Sequence, residues 1–355
     1  MIDVNAKPAL RDNVVVYFNK PAPPGPLSAE TFLYATEPLA PLADREVRIE
    51  AIYFAIDAGA RGMIDDQGPY VLKLQLGDRM LASSMAGRIV ESLHPDWPVG
   101  VYVRAPMGAR QRYVALAPDQ TPRLMQIDPS IAPLTAYLGV LGVTGFTAWV
   151  GVEIIGRPRP GETVLVSAAG GAVGSAAGQI AKIGGARVVG IAGGPEKCAL
   201  VKERFGFDDC VDYKAGDLPG QIARACPDGV DVYFDNVGGA VQHAAIAAMR
   251  PSGRVVICGQ VAQYAGSGSE EPGPNLIVVL MKQLRIEGYL VSHHYDRFPE
   301  FAARSLEWLR AGKLHSAASV VSGMQDLHRA INSLMEGRNI GVQLHQVAPD
   351  PSQAQ

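Results

Sequence analysis

The chain has little of what several protein classes require. Its 355 residues hold only four cysteines, Cys198, Cys210, Cys226 and Cys258. None falls in a C-x-x-C pair, and no Cys/His cluster has the spacing of a structural zinc site. So few and so scattered, they form no disulfide framework and are expected as reduced thiols of a cytosolic protein. Charge of one sign is also lacking: 32 Lys and Arg face 35 Asp and Glu, for a net charge of −3. A nucleic-acid surface needs a basic stripe to meet phosphates, so that partner is excluded. No run of about 18 or more apolar residues is free of charge, so no membrane span is expected. Met1 to Asp12 carries charges and no apolar stretch, so no secretory leader is expected and the expected location is the cytoplasm. No internal repeat is visible.

What remains suits a globular enzyme. The hydrophobic fraction is 48% and the charged fraction 19%. A chain of this length exceeds one compact core, so two domains are expected. Residues 1–130 read as mostly β. Strand-like pieces lie at 13–19, 46–55, 86–92 and 99–105, with Gly and Pro between them. This predicts a compact antiparallel or barrel-like unit. From Ala132 the character changes. Residues 134–152 are apolar and rich in small residues, and suit buried helices broken near Thr144-Gly145. Then strands and helices alternate. Strands are predicted at 187–192, 210–212, 230–235, 254–258 and 285–291, and helices at 195–205, 218–225, 240–249 and 275–284. That alternation predicts a doubly wound parallel sheet with both faces covered. Residues 298–311 read as an amphipathic helix with Phe298, Phe301, Leu306 and Leu309 on its apolar face. Residues 312–347 form a return segment with a helix at 324–336. The first domain is therefore expected to be discontinuous, 1–130 plus 312–347, around an α/β domain at 131–311. Residues 348–355 are expected to be disordered.

The stretch Val164 to Ser175 carries the chemistry. Three β-formers run into Ala168-Ala169-Gly170-Gly171-Ala172-Val173-Gly174, and a helix pattern follows. A strand, a glycine turn and a helix leave backbone amides free to cradle a pyrophosphate at a helix N-terminus. The match to G-x-G-x-x-G is A-x-G-x-x-G, because Ala169 replaces the first glycine. A Gly-rich turn that serves only close packing is the plainer reading. NAD sites place an Asp or Glu about 20 residues further on, for the ribose 2′-hydroxyl. Here that strand ends in Gly193-Gly194, with Lys197 beyond. A missing acid and a nearby cation suit a 2′-phosphate, hence NADP. Lys197 reads equally as a solvated residue of a first helical turn.

Further motifs occur in a fixed order: 192–198 (Ala-Gly-Gly-Pro-Glu-Lys-Cys), 211–214 (Val-Asp-Tyr-Lys), 232–239 (Val-Tyr-Phe-Asp-Asn-Val-Gly-Gly) and 258–264 (Cys-Gly-Gln-Val-Ala-Gln-Tyr). With the glycine turn, the set resembles the zinc-independent medium-chain dehydrogenase/reductases. The branch it resembles is that of leukotriene B4 12-hydroxydehydrogenase/prostaglandin reductase and the alkenal double-bond reductases. Tyr53 to Asp57 with Arg61, Leu141 to Ala148, and Glu336 to Gly341 are also similar to that branch, so the likeness covers nearly the whole chain.

The resemblance implies a GroES-like β-rich domain plus a Rossmann domain, with NADP(H) as cofactor and a small-molecule enal or enone as substrate. It implies that Gly171, Ala172, Val173 and Gly174 hold the pyrophosphate and that Lys197 and Tyr213 meet the 2′-phosphate. Asn236 would lie near the nicotinamide half. Cys258, Gly259, Gln260, Val261 and Tyr264 would wrap the nicotinamide and its ribose, and Tyr289, Leu290, Val291 and Asn339 would complete the pocket. Cys258 is given no nucleophilic role, since a small buried side chain is the plainer reading. Tyr264 is the expected catalytic residue. Hydride reaches the β-carbon of the conjugated carbonyl compound, and the phenol steadies the charge that gathers on the carbonyl oxygen. Tyr53, Asp57 and Arg61 are expected on the substrate side, although a tyrosine in an alternating strand is usually core.

Departures from the branch fall on that substrate side. Its Asp-Pro-Tyr-Met-Arg segment is Asp57-Ala58-Gly59-Ala60-Arg61 here, and its closing lysine is Val342. A pocket of altered shape is expected. His293-His294 reads as a surface loop or as a substrate-proximal pair. A quinone reductase and a non-catalytic NADP-binding sensor are the alternatives. A zinc-type alcohol dehydrogenase would need Cys and His ligands in the β-rich part, where no cysteine precedes Cys198 and His94 stands alone. No metal is expected. The last strand would leave an apolar edge, so a homodimer is expected.

Overall fold

The computed structural model describes residues 12–65, 72–263 and 273–353. Among the described residues nine strands fill the first part: β1 (Asp12–Phe18), β2 (Phe32–Pro38), β3 (Val47–Ile56), β4 (Leu81–Ala82), β5 (Met85–Ser92), β6 (Tyr102–Ala105), β7 (Gly108–Ala109), β8 (Tyr113–Leu116) and β9 (Met125–Ile127). A single helical turn, α1 (Gly59–Gly62), follows β3. β3 is the spine. It is buried on both faces for most of its length, which is why its sequence loses its polar face after Glu50. β5, β8 and the late strand β17 (Val342–Gln346) all pair with it antiparallel. β16 (Ala318–Ser322) adds to β17 in parallel. The sheet order is β16-β17-β3-β5-β6-β9, so residues from both ends of the chain build one sheet.

The middle of the chain forms a six-stranded parallel sheet in the order β12-β11-β10-β13-β14-β15. Its strands are β10 (Thr163–Ser167), β11 (Arg187–Ala192), β12 (Asp209–Asp212), β13 (Val230–Asp235), β14 (Met249–Ile257) and β15 (Arg285–Gly288). Two short helices, α2 (Leu134–Leu138) and α3 (Val143–Trp149), precede it. Then α4 (Ala172–Ile183), α5 (Pro195–Phe205), α6 (Leu218–Ala225), α7 (Gly239–Ala247) and α8 (Leu276–Lys282) alternate with the strands, and α9 (Phe298–Arg310) and α10 (Leu327–Met335) follow. This is a Rossmann-type doubly wound sheet joined to a GroES-like β-rich unit. One apolar layer joins α3, α4 and α9 to one face of the sheet. A second, with Ile222, Ala245 and Met249, covers the other face. The strand order reverses between β10 and β13, and a ligand crevice opens at such a switch point, beyond the carboxyl ends of the strands.

Four expectations need correction. The helix break falls at Gly139–Gly142, and the run then continues as a π-helix over Val150–Gly156. In α9 the deepest residues are Phe301, Ser305 and Trp308; Phe298 and Leu309 pack against the same core as expected, while Leu306 is only half-buried. β15 stops at Gly288, and residues 291–297 form a 3-10 segment. The tail is ordered through Gln353. Ala348 is buried, the Val347 amide donates to the Ile52 carbonyl, and Pro351–Gln353 makes a final turn.

Candidate functional site

β10 is buried throughout and ends at Ser167. The next residue, Ala168, takes a left-handed conformation (φ 51°) and throws the chain into the glycine turn. α4 starts at Gly171 with no side-chain cap. The first amides of a helix lack intrahelical partners, so they face the crevice with the positive end of the helix dipole. Gly174 has a packing reason as well: a Cβ there would run into the Ala168 carbonyl. The turn is held from across the domain boundary. The Gly341 amide donates to the Gly170 carbonyl at 2.8 Å, and Gly171 and Gly341 form a parallel bridge. Asn339 is buried and donates to the Gly341 carbonyl at 2.9 Å, which fixes the closing segment against the turn.

The stem of Lys197 crosses this turn. A Cβ on Gly170 would lie 2.5 Å from its Cε. The Lys197 ammonium donates to the Gly337 carbonyl at 2.7 Å. Burial, and then the nearby Lys214 charge, lower its pKa. At the end of β11, a Cβ on Gly193 would lie 2.8 Å from the Tyr213 ring and 3.0 Å from Lys214 Cε. No carboxylate is carried by Gly193 or Gly194. The Asp212 carboxylate is close, but its Oδ1 accepts from the Gly194 amide at 2.7 Å and the Lys214 amide at 2.9 Å. The structure sets Tyr213 and Lys214 against Gly193, and Lys214, which the sequence reading did not single out, is near enough to Lys197 for their charges to interact. Its signal lay in the Val-Asp-Tyr-Lys segment, where Tyr213 drew the attention. With the Asp212 Oδ1 engaged by two backbone amides, the two lysine charges are of the kind that a phosphate would meet.

The other half of the crevice is organised by Asp235, at the end of β13. It is 0% exposed. Its Oδ1 accepts from the Tyr233 hydroxyl at 2.7 Å, the Val237 and Gly238 amides at 3.0 Å and Ser167 Oγ at 3.2 Å. Its Oδ2 accepts from Gln242 at 2.8 Å and Gln260 at 3.3 Å. Asn236 is locked to the end of β10: its amide donates to Ser167 Oγ at 2.8 Å and its Nδ2 to the Ser167 carbonyl at 2.7 Å. The segment after β14 hangs on the same corner. Cys258 and Gly259 amides donate to the Asp235 carbonyl, Val261 to Asn236, and Ala262 to Val237. Burial pushes the Cys258 thiol up to about 12, which leaves it a poor nucleophile.

Tyr264 lies outside the described residues. Tyr289 stands below the crevice, its hydroxyl donating to the Thr147 carbonyl at 2.6 Å; burial raises its pKa well above the ordinary phenol range. Leu290 is exposed and Val291 half-buried. His293 is exposed, and the His294 ring meets the Tyr289 ring edge-on at 6.4 Å. Of the substrate-side residues, Tyr53 belongs to an apolar cluster against which Ala172, at the start of α4, packs. Tyr53 is buried, and its hydroxyl accepts from Gln353 in the ordered tail at 3.3 Å. Burial and then Asp350 raise its pKa. Arg61 is buried too. Its guanidinium donates to the Pro23 carbonyl at 2.7 Å, with Asp65 at 3.9 Å, and burial lowers its pKa. Both residues brace the β-rich unit. Asp57 is half-buried at the end of β3. His94 in that unit is buried, with its ring against Asp119 at 3.1 Å and Arg45 at 2.9 Å. Among the described residues no three His, Cys, Asp or Glu side chains group as a metal site. No helix among them is long and apolar enough to cross a membrane.

Residues 172–308 match the family model described as zinc-binding dehydrogenase, and residues 17–124 match the one described as the N-terminal domain of oxidoreductase. A putative NADP-dependent oxidoreductase, YfmJ of Bacillus subtilis, is 40% identical over 91% of this chain and 94% of its own. Prostaglandin reductase 1 of Oryctolagus cuniculus is 37% identical over 87% of this chain and 86% of its own. Among solved structures, CurA of Vibrio vulnificus in complex with NADPH superposes with a TM-score of 0.86 at 32% identity, over 95% of this chain and all of that one.

Proposed function

The chain belongs to the zinc-independent medium-chain dehydrogenase/reductases, in the branch of the prostaglandin and alkenal reductases, and from that premise we propose that it reduces the carbon–carbon double bond of conjugated enals and enones. It is an NADP-dependent oxidoreductase. The observation that carries the cofactor is the uncapped N-terminus of α4 beside two lysines, with no acid on the end of β11. When bound, NADPH supplies a hydride for the β-carbon of the substrate.

The chain's own residues do the rest. Gly171 to Gly174 present amides to the pyrophosphate, Lys197 and Lys214 offset the charge of the 2′-phosphate, and the Tyr213 hydroxyl donates a hydrogen bond to it. Asp235 and Asn236 fix the floor between β10 and β13 and hold residues 258–262 in place. Tyr264 follows directly on that held segment, and we assign it the donation of a hydrogen bond to the carbonyl oxygen as enolate charge develops. A neutral phenol has its proton to give at pH 7. A zinc-type alcohol dehydrogenase is disfavoured by the residues themselves, since the β-rich unit offers no cysteine and its one early histidine is engaged by Asp119 and Arg45.

The test is NADPH oxidation, followed with enals, enones, quinones and alcohols under saturating cofactor. Saturable turnover of enones is expected. Turnover of quinones alone would move the assignment to a quinone reductase. Tight NADPH binding without turnover of any acceptor would make the chain a sensor. Tyr264→Phe should lower kcat and leave NADPH affinity unchanged. The assembly is proposed to be a homodimer: β15 ends the sheet, and α8 beside it exposes Leu280 (68%) and Met281 (74%).

A further inference from the structure

Cys198 and Cys210 take no part in the chemistry above, yet their placement is specific. Cys198 closes the first turn of α5, one residue after Lys197, and its amide donates to the Gly194 carbonyl at 3.1 Å. Cys210 lies in β12, two residues before Asp212. The Cys210 thiol donates to Cys198 Sγ, and the two sulfurs are 2.7 Å apart. A disulfide bond is about 2.05 Å long, so about 0.7 Å separates this pair from covalent contact. Neither Cys226 nor Cys258 has a thiol partner.

We propose that Cys198 and Cys210 form a reversible disulfide that ties α5 to β12 and resets the clamp on the cofactor's 2′-phosphate. The proposal rests on the reading that Lys197, Tyr213 and Lys214 make that clamp. The two elements carry its two halves. Lys197 adjoins one cysteine, and Asp212, Tyr213 and Lys214 follow the other. The Asp212 carboxylate joins the halves by accepting from both the Gly194 and Lys214 amides. Among the described residues β12 ends its side of the sheet, pairing with β11 over four residues, with α5 and α6 packed against it. The bond draws the start of α5 toward β12, and Lys197 with it, away from the glycine turn.

The oxidant is a peroxide. The half-buried Cys210 sulfur attacks one peroxide oxygen, the O–O bond breaks, and one water leaves, giving a sulfenic acid. The buried Cys198 sulfur then displaces the hydroxyl from Cys210 sulfur, and the S–S bond forms as a second water leaves. Two S–H protons and two electrons pass to hydrogen peroxide. Burial raises both thiols above their ordinary range, so little thiolate is present and the oxidation is slow; the close approach of the two sulfurs, not their acidity, selects this pair.

The experiment treats the full chain with hydrogen peroxide, quenches with catalase, and maps peptides without reduction. A Cys198–Cys210 cross-linked peptide is expected, with an intact mass lower by two hydrogens. NADPH should then bind about threefold or more weakly, since sub-ångström displacement of a positioned charge is costly. NADH affinity should hold, and dithiothreitol should restore NADPH binding. In Cys198→Ala and in Cys210→Ser, peroxide should leave NADPH affinity unmoved. Absence of the cross-link overturns the proposal, and so does a cross-link that leaves NADPH affinity unchanged. Lys197→Met in the reduced protein tests the clamp separately. If that variant loses NADPH selectively while oxidation has no effect, only the disulfide proposal falls.

Discussion

Lys197→Met isolates the charge of one ammonium. Methionine keeps an unbranched stem over Gly170, so the packing against the turn survives while the cation is lost. In the wild type the ammonium is held by the Gly337 carbonyl, within reach of the Lys214 charge. Two unit charges about 4 Å apart interact by about 4 kcal/mol at an effective dielectric near 20. Lys197 is only partly buried, and water and salt screen such pairs substantially. Lys214 also remains in the variant. A loss of about 1–2 kcal/mol is therefore expected, a weakening of NADPH of about 5- to 30-fold. NADH has no 2′-phosphate and should change by less than about twofold. Dissociation constants for both cofactors, by fluorescence or calorimetry, measure the contrast. Acidity gives a second handle. Burial and Lys214 hold the Lys197 pKa below the ordinary lysine range, and a bound phosphate favours the ammonium. NADPH affinity should thus fall as pH rises through the lowered value, sooner than for an ordinary lysine, and Lys197→Met should lack that fall. Equal losses of NADPH and NADH in the variant would refute the assignment of the clamp.

Other outcomes can be stated more briefly. His345 is buried with Nε2 against the Gly323 carbonyl at 2.7 Å, and burial lowers its pKa from 6.5 to about 4. The unfolded chain then takes up a proton that the fold refuses. Stability should fall by about 2–3 kcal/mol as pH drops from 6.5 to about 4, and urea melts of His345→Leu should show a shallower dependence. Gly178 faces Phe207 from inside α4, and a Cβ there would run into the ring. Gly178→Ala should cost about 1–3 kcal/mol by overpacking, and adding Phe207→Leu should recover part of the urea midpoint. Leu280→Lys together with Met281→Lys should shift the proposed dimer to monomer in analytical ultracentrifugation. A variant that still sediments as a dimer would move the interface elsewhere.

The cofactor half of the molecule was legible because its signals are local. Short apolar runs bounded by Gly and Pro marked β11 and β13, and Pro195 and Leu218 marked helix starts correctly. The substrate half was less so, because its side chains find partners far away in sequence. Alternation placed Tyr53 in a strand, but its hydroxyl is met by Gln353, 300 residues later. The resemblance put Arg61 on the substrate side, and its guanidinium donates to the Pro23 carbonyl. The tail is polar and Pro-rich, which reads as disorder, yet it is tied by a backbone bond from Val347 to Ile52 and by Asp350 accepting from Ser352. The apolar run at 285–291 suggested a longer strand. Tyr289 ends it by turning its hydroxyl to Thr147, a contact that no periodicity contains.

The missing first glycine of the turn shows how packing can move a motif without abolishing it. Ala168 adopts the left-handed conformation that glycine would accept freely, at a cost of about 1–2 kcal/mol. Ala169 then carries a methyl where the fingerprint has none. That methyl is accommodated because Gly190, on the adjacent strand, has no side chain: a Cβ there would lie 2.8 Å from the Ala169 methyl and 3.2 Å from Val201 and Phe207. The vacant volume between β10 and β11 is thus kept, and only the strand that supplies it has changed. Gly174 admits no such exchange, and Gly171 is only modestly tight. Their missing side chains clear the Ala168 carbonyl, which lies at the turn before α4. The positions where glycine persists are therefore those that face the ligand or the backbone beside it. The position where it is lost faces a neighbouring strand that can compensate, so A-x-G-x-x-G serves the same cradle.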